Sequence, residues 1–188
     1  MHPRIAELLV YLETQRTMLW AAVGLIPESL RDRRPDPDVW SVAEVLEHLH
    51  RVERGIARLI ARTLERAGPG EIEVEQEDGS VLGSLDELGL LDRSRPLRAP
   101  EPVMPRGELT AVQAMAALTE SRNSLVSALK AGDGLALGRI THHHPILGQL
   151  NLYQWVLFVG QHEARHAGQL QDAVRRLSRE PEQNRVNG

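Results

Sequence analysis

The chain has 188 residues, of which 41% are hydrophobic and 26% are charged. This length and composition fit one soluble domain with one packed core. Its 26 acidic residues outnumber its 22 Lys and Arg residues, giving a net charge of −4 at pH 7, which disfavours binding to nucleic-acid phosphates. Cysteine is absent, which excludes disulfides, thiolate metal ligands, iron–sulfur clusters and a cysteine nucleophile.

The apolar runs are too short for a membrane protein. None reaches the roughly 18–20 residues of a transmembrane helix, and Glu7 and Glu13 interrupt the apolar pattern near the N-terminus. We therefore expect no signal peptide and no membrane association. The expected location is the cytoplasm, and the expected partner is a small-molecule substrate.

Two helices are predicted in the first third of the chain. Apolar residues at helical spacing predict a first helix over residues 3–26, followed by a polar loop with two prolines at 31–38. Ser41 and Glu44 have the spacing of a capping box, and Trp40 precedes them. This pattern predicts a second helix that continues to the glycine–proline–glycine sequence at 68–70.

Residues 68–107 differ from the rest because they are rich in proline and glycine and carry an acidic run at 71–78. A structureless connection of this length is unusual inside a compact domain. We interpret the segment as a long crossover between two helix pairs, with a short helix at 84–91, where Ser84 and Glu87 repeat the capping spacing.

A second helix pair is predicted after the crossover. Thr110 and Gln113 have capping-box spacing and begin a third helix, and apolar residues at helical spacing predict a last helix over about 149–178. The polar tail, 179–188, is expected to be flexible. Four helices with one long crossover predict an all-α four-helix bundle, with a single domain over residues 1–178.

Histidines in the last helix lie on its apolar face. At about 100° per residue, His166 lies about 40° from His162, and the core residue Val159 lies about 60° from His162. Two adjacent buried imidazoles need polar partners or a cation. The interpretation without a metal is that they bond to each other or to Glu163.

The second helix separates two further histidines. His48 lies about 40° from Val52 and therefore borders the core, whereas His50 lies about 200° from His48, among solvent-facing residues. His48 is thus a candidate metal ligand and His50 is not. Three imidazoles from two helices, with one coordination position left open, are typical of a catalytic zinc site.

Three consecutive histidines, His142–His144, resemble a metal-binding tract. Side chains on an extended segment alternate in direction, so the three cannot easily bind one ion, and Pro145 and Gly148 indicate a turn. We expect a structural or solvent-exposed role, although His144 could approach the mouth of the site.

Two polar residues occupy inward positions: Arg122 in the third helix and Glu163 in the last. Arg122 and Glu163 could form a buried ion pair between helices. The aliphatic part of the Arg122 side chain could instead pack in the core while its guanidinium reaches water. Alternatively, Arg122 orients an anionic substrate and Glu163 supports a ligand histidine. Gln169 lies beside His162 on the wheel and could line the pocket.

Three motifs together resemble the DinB/YfiT-like metalloenzymes over most of the chain: residues 40–49 (WSVAEVLEHL), 144–148 (HPILG) and 162–170 (HEARHAGQL). The resemblance implies a four-helix bundle in a minor variant of the up-and-down topology, often dimeric. It also implies a divalent metal, commonly zinc or nickel, bound by one histidine of the second helix and two of the last. Carried onto this sequence, these ligands are His48, His162 and His166.

The same resemblance implies two reaction classes. Characterised relatives include thiol-dependent S-transferases and a maleylpyruvate isomerase that use mycothiol, bacillithiol or glutathione. We therefore expect a metal-dependent hydrolase or S-transferase, in which a metal-activated water or a small-molecule thiol attacks an electrophile. The alternative is a non-catalytic bundle that binds a metal, a small ligand or a protein partner. The motifs do not identify catalytic residues.

Overall fold

The computed structural model describes residues 1–68, 70–94 and 97–186, with side chains described as far as Val174. The described residues form a mostly helical bundle, which confirms the predicted fold class. Helices α2 and α3 pack along each other, as do α1 and α4. The four long helices are α1 (Pro3–Gly24), α2 (Val42–Arg66), α3 (Ala111–Ala131) and α4 (Leu152–Val186).

Local capping bonds fix the starts of α2 and α3, as predicted. The Ser41 hydroxyl accepts a hydrogen bond from the Glu44 backbone N–H at 3.2 Å, and the Glu44 carboxylate accepts one from the Ser41 N–H at 2.9 Å. Thr110 and Gln113 form the same reciprocal pair at the start of α3. These bonds satisfy N–H groups that have no partner inside the helix.

The outer helix ends differ slightly from the prediction. Helix α1 ends at Gly24, two residues before the expected end at 26, and α4 continues to Val186 instead of ending near 178. Residues 187–188 lie outside the described part of the chain, as do the side chains of 175–186. The domain bounds and the flexible tail therefore stay predictions.

A β-hairpin precedes α4, where the sequence predicts a loop with a turn and the start of the last helix at about 149; the helix begins instead at Leu152. Strand β1 (Thr141–His144) pairs antiparallel with strand β2 (Gly148–Asn151), so that His144 lies opposite Gly148. The predicted turn is confirmed, and Gly148 takes a positive φ of 79° that favours glycine. The strands could not be predicted because β1 consists of Thr and His residues and lacks the alternation of apolar and polar residues that is typical of a strand.

The described part of the crossover contains two 3-10 turns, at Asp86–Leu88 and Glu101–Val103. The first lies within the short helix predicted at 84–91, so that helix is confirmed over three residues only, and Ser84 does not cap it. Gly89, with a φ of 61°, ends the first turn in the left-handed region. Leu85 and Leu90 are buried in the core. The crossover is therefore anchored on the bundle by apolar contacts.

The core consists of two apolar clusters, one containing Leu12 and Ile56 and the other containing Leu19 and Leu49. Buried polar residues lie between the clusters on every helix. We call this set the polar layer: Arg16, Glu53, Ser121, Arg122 and Glu163. Among the described residues, no helix combines the length and apolar character needed to cross a membrane.

Candidate metal centre

Three imidazoles from two helices converge at one side of the bundle. The Nε2 atom of His48, on α2, lies 3.1 Å from the Nε2 atom of His162, on α4. The Nε2 atom of His166, one turn further along α4, lies at the same distance from His162 Nε2. All three ligand atoms lie within 4.8 Å of one another. The structure thus brings together the three histidines singled out by the sequence.

The hydrogen bond of His48 fixes which of its nitrogen atoms can bind a cation. Its Nδ1 lies 2.7 Å from the carbonyl oxygen of Val103, in the crossover. A carbonyl oxygen can only accept, so Nδ1 carries the hydrogen and Nε2 of the neutral ring keeps a free lone pair. Burial lowers the pKa of His48, although the bond to Val103 opposes this effect. The neutral form is therefore favoured.

Burial also favours the neutral form of the two histidines of α4. Burial, followed by the nearby His48 and Arg165, lowers the pKa of His166 to about 3, although the bond to Gln169 opposes the shift. Burial, followed by His166 and His48, lowers the pKa of His162 well below its usual value. Neutral imidazole is the form that binds metals.

Hydrogen bonds among the three rings leave some of their Nε2 atoms without a partner. His162 Nε2 faces two other ring nitrogens but carries at most one hydrogen, and His48 Nε2 carries none when that ring is neutral. A shared cation would accept all three lone pairs. Tetrahedral zinc with ligands at about 2.0–2.1 Å places neighbouring nitrogens about 3.3 Å apart, close to the observed 3.1 Å. The donor set therefore fits a divalent ion, and imidazole suits both zinc and nickel.

Aromatic side chains hold the ligand rings in place. Phe158 stacks on His162 with a centroid distance of 5.2 Å and an angle of 13°. Trp40 lies nearly parallel to His166 at 6.4 Å. The sequence suggests that Trp40 packs at the start of α2, but its contact with His166 depends on the approach of α4. Fixed rings lose little freedom when they bind an ion.

The imidazole cluster forms part of the wall of a cavity of about 540 Å³. Residues of α2 and α4 line it, together with residues 97–100, 102–103 and 142–147. The lining is largely apolar, as in many small-molecule sites. Its apolar and aromatic members include Trp40, Val52, Ile56, Leu59, Leu90, Leu97, Val103, Ile146, Leu147, Trp155 and Phe158.

His144 is buried and lines this cavity. Its Nδ1 accepts hydrogen bonds from the backbone N–H groups of Ile146 and Leu147 at 3.2 and 3.1 Å. The neutral ring therefore carries its hydrogen on Nε2, and burial lowers the pKa of His144, which favours that form. His142 instead contacts the hydroxyl of Thr63 at 3.0 Å. His142 and His144 thus have different partners.

The predicted exposure of His50 is only partly correct. This residue is half-buried between α2 and α3, beside Ala117. A helical wheel considers the residues of α2 alone. It therefore does not show that α3 packs against the side of α2 that carries His50. His50 nevertheless lies outside the imidazole cluster, in agreement with its exclusion as a ligand.

Arg122 and Glu163 belong to the polar layer. Arg122 donates to Glu53 at 2.5 Å and to Glu163 at 2.9 Å, and Arg16 bonds to the same two carboxylates at 3.0 and 2.6 Å. Ser121 donates to Glu53 at 2.7 Å. Burial raises the pKa of Glu163, and the two arginines act against this rise. Two positive and two negative side chains thus balance inside the bundle.

This placement favours the structural interpretation of Arg122 and Glu163. The described residues that line the cavity include neither Arg122 nor Glu163. The Oε1 atom of Glu163 accepts from Arg16 and Arg122, so its bonds lead away from the ligand histidines. Gln169, by contrast, lines the cavity as expected.

The profile of the DinB superfamily matches residues 11–170. The uncharacterized protein YuaE of Bacillus subtilis is 26% identical over 157 residues, which cover 83% of this chain and 90% of the relative. The crystal structure of TT2238, a four-helix bundle protein, has a TM-score of 0.55 and 22% identity, covering 89% of this chain and 98% of that one; this likeness concerns the fold. Because the family match spans most of the sequence, the chain belongs to the DinB superfamily.

Proposed function

We propose that this protein is a divalent-metal-dependent enzyme whose ion, zinc or nickel, is held by His48, His162 and His166. The observation that carries this proposal is the convergence of three imidazoles at the wall of an apolar cavity. Three neutral protein ligands leave the charge of the ion uncompensated and a position open, as in catalytic sites.

The chain's own residues would prepare the site for this role. Val103 holds the His48 ring in the tautomer that binds metal, and Phe158 fixes the His162 ring. When bound, the ion supplies a Lewis acid that lowers the pKa of a water molecule or of a small-molecule thiol. The apolar walls would hold an electrophile and limit the access of water.

His144 is suited to contact the substrate. Its Nδ1 is occupied by two backbone N–H groups, so its Nε2–H is the group available for hydrogen bonding. The ring lies against Trp155 and Phe158 in the cavity. It would donate a hydrogen bond to a substrate oxygen rather than accept a proton.

The lining favours thiol transfer over hydrolysis. No Asp or Glu side chain lines the cavity in the described part of the chain, so no carboxylate is available there as a general base. Deprotonation of water benefits from such a base, whereas a thiol with a pKa near 8.5 needs only a modest shift. Since the chain has no cysteine, the thiol would come from a small molecule.

Paired activity assays test the proposal. Purified protein is loaded with zinc or nickel, and two reactions are followed: hydrolysis of p-nitrophenyl esters, and conjugation of glutathione or bacillithiol to 1-chloro-2,4-dinitrobenzene. We expect conjugation that stops on chelation, is absent in His166→Ala and persists in His50→Ala. Metal-loaded protein that catalyses neither reaction would favour the alternative of a non-catalytic binding bundle.

A further inference from the structure

The cavity beside the imidazole cluster has a charge pattern unlike that of the whole chain. Acidic residues outnumber Lys and Arg by 26 to 22 overall. In the described residues that line the cavity, however, Arg51, Arg98 and Arg165 are the charged side chains, and Asp and Glu are absent. A concave, low-dielectric surface with charges of one sign attracts ligands of the opposite sign.

Two of the three arginines have structural partners. Arg51 forms an ion pair with the buried carboxylate of Glu47 at 2.8 Å. Arg165 is buried and donates to the backbone carbonyls of Leu90 and Asp92 at 2.9 and 2.7 Å, which attaches the crossover to α4. Glu47 largely balances the charge of Arg51, and the hydrogen-bonding groups of both arginines serve the fold.

Arg98 is different. It lies on the crossover wall of the cavity and is exposed. No hydrogen bond or ion pair joins its guanidinium to another residue in the parts of the chain that the structure describes. Five N–H donors are therefore available at the cavity wall, in a geometry that suits a carboxylate or another oxyanion.

The rest of the lining fits an apolar molecule. Val52, Ile56 and Leu59 present aliphatic side chains from α2, and Trp155 and Phe158 present aromatic rings from α4. A volume of about 540 Å³ lies within the range of sites for small organic ligands. The described part of the lining thus combines an extensive apolar surface with the guanidinium of Arg98.

We propose that the molecule bound in this cavity is an apolar compound that carries one anionic group, and that Arg98 binds this group. The inference rests on the proposed function in so far as the compound is the electrophilic substrate. Arg98 would then orient the substrate by its anionic end and leave its apolar part against the aromatic rings near the imidazole cluster.

A pair of fluorescent probes of similar size separates the contribution of charge from that of apolar contact. One is 8-anilinonaphthalene-1-sulfonate, and the other is N-phenyl-1-naphthylamine, which lacks the sulfonate. Each is titrated into metal-loaded protein and into protein treated with chelator. Wild type is expected to bind the sulfonate at least about 10-fold more tightly than the neutral probe, the lower end of the effect of a charge-assisted hydrogen bond.

Three variants test whether Arg98 causes the preference for the sulfonate probe. Arg98→Gln should lose it, and Arg98→Lys should retain most of it because the charge remains. Arg33→Gln is the matched control, since it removes the same charge from an exposed loop residue that does not line the cavity; it should behave as wild type. Circular dichroism verifies that each variant is folded.

Two results would overturn the inference: equal binding of both probes by wild type, or an unchanged preference in Arg98→Gln. Its failure is distinguishable from failure of the proposed function, because metal content is measured on the same samples. A protein that binds metal without preferring the anionic probe contradicts the inference alone. A protein that prefers this probe without binding metal contradicts the proposed function alone.

Discussion

His48 donates its Nδ1 hydrogen to the carbonyl oxygen of Val103 across 2.7 Å, and this bond joins helix α2 to the crossover. The two residues are 55 positions apart in sequence. The crossover is thus part of the candidate metal centre as well as a connection between helices. Loss of a hydrogen bond that orients a ligand histidine commonly weakens metal binding by about 10- to 100-fold.

The short turn that presents Val103 should therefore control metal affinity. We expect Pro102→Gly to loosen the turn at Glu101–Val103 and to weaken zinc binding by roughly 10-fold, measured by competition with a chromophoric chelator. Pro35→Gly, in an exposed loop, is the control and should leave affinity unchanged. Equal affinity in Pro102→Gly and wild type would show that the turn does not orient His48.

Metal should stabilise the folded protein. An ion that binds only the native state at 100 times its dissociation constant adds about 2.7 kcal/mol to the free energy of unfolding. We expect chelation to lower the Tm of wild type and of His50→Ala, and to leave the Tm of His162→Ala unchanged. Differential scanning calorimetry provides the measurement, and an equal response in all three proteins would argue against His162 as a ligand.

Replacement of Arg122 by Leu should affect folding more than metal binding. Arg122 is buried and bonds to Glu53 and Glu163, so its loss leaves buried carboxylates with fewer partners. The expected loss in the free energy of unfolding is about 3–5 kcal/mol in urea titrations, with metal content per folded chain unchanged. The matched change Arg139→Leu, at an exposed site, should have little effect. A stable Arg122→Leu protein without metal would restore the interpretation that Arg122 serves the site.

The bonds of Glu44 at the start of α2 should make the stability of the folded protein depend on pH in the acid range. Burial acts to raise the pKa of Glu44, but the bonds from Arg34 and Ser41 outweigh it, so the folded pKa lies below the usual 4.5. The stabilisation is then present above pH 4.5 and is lost as pH falls through the folded pKa. Because Arg34 is about half exposed, we expect less than about 1 kcal/mol.

Urea unfolding between pH 6 and pH 3 measures this contribution. Glu44→Gln should lose less stability on acidification than wild type does. Glu28→Gln removes an exposed carboxylate that is 3.7 Å from Arg31, and it should follow the wild-type curve. Identical curves for Glu44→Gln and wild type would assign the acid sensitivity to other groups.

Features that depend on local sequence could be predicted. The starts of α2 and α3 follow from reciprocal bonds between residues three apart, at Ser41 and Glu44 and at Thr110 and Gln113. The inward direction of His48 follows from its position relative to neighbouring apolar residues. Both depend on periodicity and on bonds within one turn, which the sequence encodes directly.

Features that depend on distant pairing could not be predicted. Arg122 is identifiable as an inward-facing polar residue, but its partner Glu53 lies 69 positions away on another helix. Two further features depend on how the irregular crossover packs against the helices. These are the bond from His48 to Val103 and the position of Arg98 in the cavity wall. Such contacts have no periodic signature in a single sequence.

The metal content of wild type, His166→Ala and His144→Ala, measured by inductively coupled plasma mass spectrometry after purification without chelator, tests the central claim most directly. His144 lines the same cavity but accepts backbone hydrogen bonds at Nδ1 and lies outside the imidazole cluster. We predict about one divalent ion per chain in wild type and in His144→Ala, and almost none in His166→Ala. Equal metal in His166→Ala and wild type, or no metal in wild type, would contradict the assignment of His48, His162 and His166 as the ligands.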